Sequence, residues 1–201
     1  VEFTYWQKKS LAWLEANEHR GVIALGTGMG KTLVGIGMMQ ELRRRRDEKR
    51  PFLLVCPPAL KGNFAKEIHR FLEPEEAKKL LAQLVVMDYK QFRKACKTGL
   101  WKDQPFSASQ YAAVLFDEAQ WLKNPRSVMA KSALGFDHPH KVCLTATAMK
   151  ENFDEAMTLV CVASNINLMD REKGRELRFK ARKFKQLSCV ELAGKTLGVK
   201  Q

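Results

Sequence analysis

Two short polar segments of the chain carry residue types suited to phosphate chemistry. One is a glycine loop, Gly26-Thr27-Gly28-Met29-Gly30-Lys31-Thr32, and the other is the acidic pair Asp117-Glu118. Glycines let backbone N–H groups close around phosphate oxygens, because no Cβ stands in the way. A lysine at the end of such a loop reaches the β- and γ-phosphates, and a threonine hydroxyl ligates Mg²⁺. The pattern predicts these roles for Lys31 and Thr32.

The neighbours of the glycine loop favour this interpretation. The apolar run Gly21–Leu25 reads as a buried strand, and Lys31–Arg45 has the length of a helix. A strand, a glycine loop and a helix form the context that a phosphate-binding loop needs, with the positive end of the helix dipole facing the anion. The strict pattern has Gly where this chain has Leu25. A glycine-rich turn beside a surface lysine is the alternative.

The acidic pair follows directly after an apolar strand, Ala112–Phe116. Carboxylates in that position lie at the carboxyl edge of a sheet, where open α/β folds bind ligands. We expect Asp117 to hold Mg²⁺, through water, and Glu118 to polarise an attacking water as general base. The alternatives are an exposed loop pair, or a helix N-cap followed by an acid in the first turn.

The elements that position these residues alternate along the chain. Apolar runs predict strands at 21–25, 52–56, 84–87, 112–116 and 141–144, and periodicity predicts helices at 6–18, 31–45, 59–71, 89–97, 127–134 and 151–162. Strands separated by helices predict an α/β fold with a parallel sheet that is covered by helices on both faces. The polar stretch 97–110 reads as a loop.

Composition narrows the class of protein. The chain has 201 residues, 45% of them apolar, which suffices for one α/β domain. Its apolar runs are far too short to span a bilayer, so no membrane partner is expected. The five cysteines form no C-x-x-C pair, which favours a reducing, intracellular setting (cytoplasm, nucleoid or nucleus). The opening Val1 suggests an excised piece of a longer protein.

Charge is the strongest compositional signal. The formal net charge is +13, and residues 171–201 hold ten Lys/Arg but only three Glu. This balance fits a polyanion such as nucleic acid, or simply a solvated basic surface. We divide the chain into a domain at 1–162 and a basic extension or linker at 163–201. The basic segment 171–185 reads either as a surface helix or as an arm that faces DNA or links to another domain.

Several segments together resemble the first RecA-like lobe of the Swi/Snf-type ATPases of helicase superfamily two, over about residues 4–160. The resemblance includes the glycine loop, which is similar to the T-G-x-G-K-T form of that superfamily. The other matching segments are Tyr5-Trp6-Gln7 with Leu11–Leu14, Phe52–Leu60 with Asn63-Phe64 and Glu67-Ile68, Val85–Tyr89 with Phe92-Arg93-Lys94, Asp117–Pro125 with Ser127, and Leu144–Ala148 with Asn152 and Glu155. The stretch D-E-A-Q-x-x-K-N-P-x-S is the most discriminating of these.

The resemblance implies a RecA-like fold, ATP and Mg²⁺ as cofactors, and roles for particular residues. Gln7 would bind adenine; Thr27, Gly28, Met29, Gly30, Lys31 and Thr32 would bind the nucleotide phosphates; and Asp117 and Glu118 would serve metal binding and hydrolysis. Thr145 and Thr147 would couple the ATP site to the DNA groove, while Pro58, Lys61 and Tyr89 would lie near the backbone of the tracked strand. A second RecA-like lobe would supply an arginine finger.

The chain also departs from the family pattern. Ala146 and Ala148 replace the usual Gly and Pro, and Asp88 stands where Ser or Thr is common. An acid facing a phosphate backbone is unfavourable, which argues against a contact between DNA and the segment around Asp88.

Three functions remain open from the sequence. The first is the ATP-binding lobe of a DNA-dependent ATPase that translocates on duplex DNA. The second is a nucleotide-gated DNA- or protein-binding module with little hydrolysis of its own. The third, a small-molecule kinase, fits the D-E-A-Q segment poorly.

Overall fold

A computed structural model describes residues 2–45, 47–148 and 153–166. Seven α-helices and seven strands lie within these ranges. The helices are α1 Tyr5–Ala16, α2 Lys31–Arg45, α3 Lys61–Phe71, α4 Pro74–Ala82, α5 Tyr89–Thr98, α6 Val128–Gly135 and α7 Phe153–Ser164. The strands are β1 Gly21–Ala24, β2 Phe52–Cys56, β3 Leu84–Asp88, β4 Leu100–Trp101, β5 Gln104–Pro105, β6 Val114–Phe116 and β7 Lys141–Thr145.

Five of the strands form one parallel sheet in the order β1-β7-β6-β2-β3. Every neighbouring pair in it is parallel, with Ile23 opposite Leu144 and Leu54 opposite Leu115. All five residues of β2 and of β7 are buried, as strands covered on both faces must be. The predicted parallel α/β fold is therefore confirmed.

Helices cover both faces of this sheet. On one face α1 to α4 pack through a core that includes Leu14, Ile36, Phe64 and Leu80. On the other face α5 to α7 pack through Phe92, Ala133, Leu159 and their neighbours. The two cores leave the carboxyl edge of the sheet open for the loops that follow the strands.

Two features of the fold are absent from the predicted elements. Helix α4 begins with Pro74 and carries two acids in its first turn, both of which favour a helix start. The predicted loop 97–110 contains the antiparallel hairpin β4–β5 and a short 3₁₀ turn at Ala108–Gln110. Neither feature changes the sheet.

The predicted division at residue 162 stays a prediction. Helix α7 continues to Ser164, and the basic segment 171–185 lies outside the described residues. Within the described part of the chain, none of the helices is long and apolar enough to cross a membrane.

Candidate functional site

The predicted site residues, apart from Gln7, all follow carboxyl ends of strands in the five-stranded sheet. The glycine loop follows β1, Pro58 and Lys61 follow β2, and Tyr89 follows β3. Asp117 and Glu118 follow β6, Thr145 is the last residue of β7, and Thr147 comes two residues later. Carboxyl ends of parallel strands meet at one edge. The fold therefore brings residues from five separate segments to a single edge of the sheet.

The glycine loop needs its glycines at two positions. Gly28 and Gly30 have φ angles of +80° and +75°, which residues with a Cβ rarely adopt. A Cβ on Gly30 would also lie only 2.3 Å from the Gln7 Nε2 atom. Gly30 thus permits both the loop conformation and the close approach of α1.

Gln7 reaches the site from α1. Its Nε2 atom donates to the carbonyl of Met29 at 3.0 Å, and its Oε1 atom accepts from the backbone N–H of Thr4 at 3.0 Å. The second bond belongs to the capping box that begins α1. A carboxamide offers two donors and two acceptor lone pairs, so Gln7 keeps one of each for a ligand.

Lys31 is the first residue of α2 and only 9% exposed. Its Nζ atom donates to the carbonyl of Leu25 at 3.3 Å. The ammonium is therefore held over the glycine loop. The first turn of α2, which includes Thr32, presents N–H groups that have no partner within the helix. This arrangement suits an anion.

Asp117 is a buried acid, 6% exposed, at the end of β6. Burial raises the pKa of its carboxyl to about 6, and the charge of Glu118 adds to this. The hydrogen bond from the Glu118 N–H and the nearby Lys31 ammonium work in the opposite direction. The strand order β1-β7-β6 places the glycine loop and the acidic pair at the same edge of the sheet, with β7 between the two strands that lead to them.

Glu118 is the start of a hydrogen-bonded chain that leads to β7. Gln120 Nε2 donates to Glu118 Oε2 at 2.7 Å, Thr145 Oγ1 donates to Gln120 Oε1 at 2.9 Å, and the Thr147 N–H donates to Thr145 Oγ1 at 3.1 Å. Glu118 itself has φ of +49°, an unusual conformation for a non-glycine residue. The sequence predicts no role for Gln120, although this residue belongs to the D-E-A-Q segment.

Lys61 and Asp88 form an ion pair at the ends of β2 and β3. The Lys61 Nζ atom lies 2.8 Å from Asp88 Oδ2 and also donates to Gln91 Oε1 at 2.6 Å. Burial works to raise the pKa of Asp88, but hydrogen bonds from Lys61 and from the Gln91 N–H outweigh it and lower that pKa. Asp88 also caps α5. Next to this pair, Pro58 is exposed.

Tyr89 follows β3 at the predicted edge of the sheet, but its side chain is buried. It is 1% exposed, and its hydroxyl donates to the carbonyl of Asp117 at 2.8 Å. Its ring stacks on Trp121 with centroids 5.7 Å apart. These contacts tie α5 to the acidic segment and leave the side chain little surface for a direct contact with a nucleic acid backbone. The predicted position of Tyr89 near such a backbone stays a prediction.

Two oxygens of the site could hold a metal ion. Among the described residues, no group of three or more His, Cys, Asp or Glu side chains is arranged to bind one. Magnesium at a phosphate site needs only one or two protein ligands beside water and phosphate oxygens. The Thr32 hydroxyl and the Asp117 carboxylate fit that requirement.

The family model of the SNF2-related domain matches residues 6–173 of this sequence. The chain belongs to that family. The match contains the glycine loop, the acidic pair and the end of β7, so the resemblance to Swi/Snf-type ATPases is confirmed.

Curated relatives of this SNF2-related domain are helicases and chromatin-remodelling ATPases. The chain is 27% identical over 175 residues to helicase swr1 of Schizosaccharomyces pombe, covering 77% of this chain and 13% of that protein. It is 29% identical over 178 residues to the chromatin-remodelling ATPase INO80 of Neurospora crassa, covering 77% and 9%. The chain thus spans only a small part of these relatives.

Solved structures show the same fold. The Sulfolobus solfataricus SWI2/SNF2 ATPase core in complex with dsDNA matches with a TM-score of 0.70 at 19% identity, over 98% of this chain and 43% of that one. The UvsW helicase of bacteriophage T4 matches with a TM-score of 0.56 at 16% identity, over 80% and 58%. The RecA-like architecture is therefore shared with known ATPase cores.

Proposed function

We propose that this SNF2-related domain is the ATP-binding lobe of a DNA-dependent ATPase that moves on duplex DNA. One observation carries the proposal. The glycine loop after β1 and the acidic pair after β6 lie at one edge of the sheet, with the buried Lys31 ammonium bonded to the Leu25 carbonyl and the buried Asp117 carboxyl at the end of β6. A cation for phosphates beside a carboxylate for their metal is the arrangement that phosphoryl transfer needs.

The residues of this edge divide the work. The Lys31 ammonium and the backbone N–H groups of Lys31 and Thr32 bind phosphate oxygens, and Thr32 and Asp117 hold Mg²⁺, which when bound neutralises charge on those oxygens. Glu118 accepts the proton of the attacking water through Oε1. Gln120 orients Glu118 by donating to Oε2.

The adenine base is assigned to Gln7. Its free N–H and free lone pair match the acceptor and donor on one edge of adenine. Because the same carboxamide donates a hydrogen bond to the carbonyl of Met29, one side chain contacts both the base and the phosphate loop. Gln7 therefore favours ATP over GTP, whose base presents a different pattern.

DNA is assigned to the segments after β2 and β7. Pro58 and Lys61 would lie along the tracked strand, and the chain from Glu118 through Gln120 to Thr145 and Thr147 would carry the state of the ATP site to it. The SWI2/SNF2 core of the same fold is in complex with dsDNA, which supports the choice of partner.

Hydrolysis also requires a cation on the leaving-group side, which we assign to an arginine of a second RecA-like lobe. The 201-residue chain alone is then expected to bind ATP and to hydrolyse it slowly. The test is an enzyme-coupled ATPase assay with and without duplex DNA. Fast, DNA-stimulated turnover by the chain alone would contradict the assignment of the arginine to another lobe.

A nucleotide-gated binding module is the second candidate. It is favoured by the hydrogen bond from Gln120 Nε2 to Glu118 Oε2, because a carboxylate that already accepts a hydrogen bond is a weaker base toward water. Glu118→Gln separates the two functions, since it removes the base but keeps the fold of the loop. If cellular function survives Glu118→Gln but not Lys31→Ala, binding alone is the function.

A further inference from the structure

A groove runs between α5 and α6, on the helical face of the sheet rather than at its carboxyl edge. Its volume is about 890 Å³, and its walls come from the second half of α5, from α6 and from the segment after β5. This volume is in the range of grooves that take a ligand or a peptide segment. The predicted nucleotide and DNA residues do not line it.

Cations surround the opening of the groove. Arg93, Lys94 and Lys97 line it from α5 and Lys131 lines it from α6, and all four are exposed. Within the described part of the chain, none of these four forms an ion pair with a carboxylate at 4.0 Å or less, and Asp137 is the one acid in the lining. The groove therefore attracts anionic groups.

The floor of the groove is apolar. Phe106 and Phe136 lie there, 8% and 7% exposed, with stacked rings whose centroids are 5.2 Å apart. Val128, the first residue of α6, is 59% exposed. A duplex backbone would neutralise the cations but leave Val128 in water, while the two phenylalanines are already buried apart from their rims. A peptide that carries both acids and apolar side chains would satisfy both parts.

We propose that the groove between α5 and α6 binds an acidic segment of a partner protein that carries apolar side chains. Its carboxylates pair with Arg93, Lys94, Lys97 and Lys131, and its apolar side chains cover Val128 and the rims of the two phenylalanines. Helix-in-groove recognition of this kind places apolar anchors one turn apart with charges beside them. The inference does not depend on nucleotide binding.

The test is fluorescence anisotropy with a fluorescein-labelled, Glu- and Asp-rich peptide of about 12 residues that carries two Leu at helical spacing. Lys94→Glu with Lys97→Glu should weaken binding by about tenfold or more, because two attractive charges become repulsive. Val128→Ser, or replacement of both Leu by Ser in the peptide, should weaken it by roughly threefold, the loss expected for partial burial of one or two apolar groups.

The matched control is Lys66→Glu with Lys78→Glu, which makes the same change in net charge on the opposite face, on α3 and α4. This control should leave peptide binding unchanged. Equal losses in both double variants would overturn the proposal, since attraction would then be unspecific. It would also be overturned if no saturable binding occurs, or if the groove variant loses affinity for duplex DNA and not for the peptide.

Discussion

Asp117→Asn should stabilise the metal-free protein. The wild-type carboxyl is 6% exposed and has a pKa of about 6 against an ordinary 3.8. A folded-state pKa above the unfolded one means that ionisation opposes folding. This difference corresponds to about 3 kcal/mol of destabilisation at neutral pH, since one unit is worth about 1.4 kcal/mol. Asparagine has the same shape, and its Oδ1 can still accept from the Glu118 N–H.

The pH dependence follows from the same shift. The favourable contribution of the protonated acid is complete below about pH 3.8 and is lost as the pH rises through about 6. The advantage of Asp117→Asn should therefore be about 3 kcal/mol at pH 7.5 and about half of that at pH 5. For a domain of this size, about 3 kcal/mol corresponds to a rise in Tm of roughly 6–12 °C.

The assay is urea unfolding followed by far-UV circular dichroism, without nucleotide or Mg²⁺, at both pH values. Asp137→Asn is the control, because that acid is exposed and its replacement should change stability little. The reasoning is refuted if Asp117→Asn is no more stable than the wild type at pH 7.5, or if its advantage does not shrink at pH 5. The same variant should bind Mg²⁺-ATP more weakly, which would show that the buried acid serves binding at the expense of stability.

Three further changes test other parts of the structure. Asp88→Ser should raise affinity for duplex DNA by roughly threefold to tenfold in a filter-binding assay, because Lys61 loses its ion pair and becomes able to contact a phosphate. Unchanged affinity would contradict the assignment of Lys61 to the DNA contact. Gly30→Ala should cost about 1–3 kcal/mol of stability and abolish ATP binding, since a residue with a Cβ rarely adopts the φ of +75° found here and its Cβ would lie 2.3 Å from Gln7 Nε2. Denaturation and ATP titration check both effects. Burial lowers the pKa of Lys141 from 10.5 to about 8. Between these two pH values the unfolded state binds more protons than the folded state, so the free energy of unfolding should rise by up to about 3 kcal/mol from pH 8 to 10.5. Urea unfolding at several pH values should show this rise in the wild type and not in Lys141→Met.

The sequence carries most of the sheet and the outline of the site. The runs FLLVC and AAVLF read as buried strands because residues covered on both faces must be continuously apolar. The glycine loop is equally predictable from the sequence, since the positive φ angles at Gly28 and Gly30 favour glycine. That the loop and the acidic pair lie at the same edge follows from the parallel arrangement of the strands.

Other features depend on contacts that no local pattern encodes. Tyr89 follows a strand at the correct edge, yet its ring turns inward to Trp121 and its hydroxyl to Asp117. The link from Glu118 through Gln120 to Thr145 joins residues from two strands. The D-E-A-Q segment could have drawn attention to Gln120, but its partner on β7 is defined only by the fold.

Asp88 carries a local signal of helix capping. An acid is unfavourable beside DNA, but Asp88 and Gln91 form a capping box at the start of α5, and this spacing is visible in the sequence. Its ion pair with Lys61 could not be foreseen, because Lys61 lies on a different segment.

Isothermal titration of the 201-residue chain with Mg²⁺-ATP tests the central claim most directly, namely that the sheet edge around Lys31 and Asp117 is a nucleotide site. We expect saturable binding with one ATP per chain, weakened by roughly 10- to 100-fold in Lys31→Ala, because charge-assisted bonds to phosphate are worth about 1.5–3 kcal/mol. Lys66→Ala, on the exposed side of α3, should bind as the wild type does. Binding that is absent in the folded wild type, or equal in Lys31→Ala and the wild type, would contradict the account.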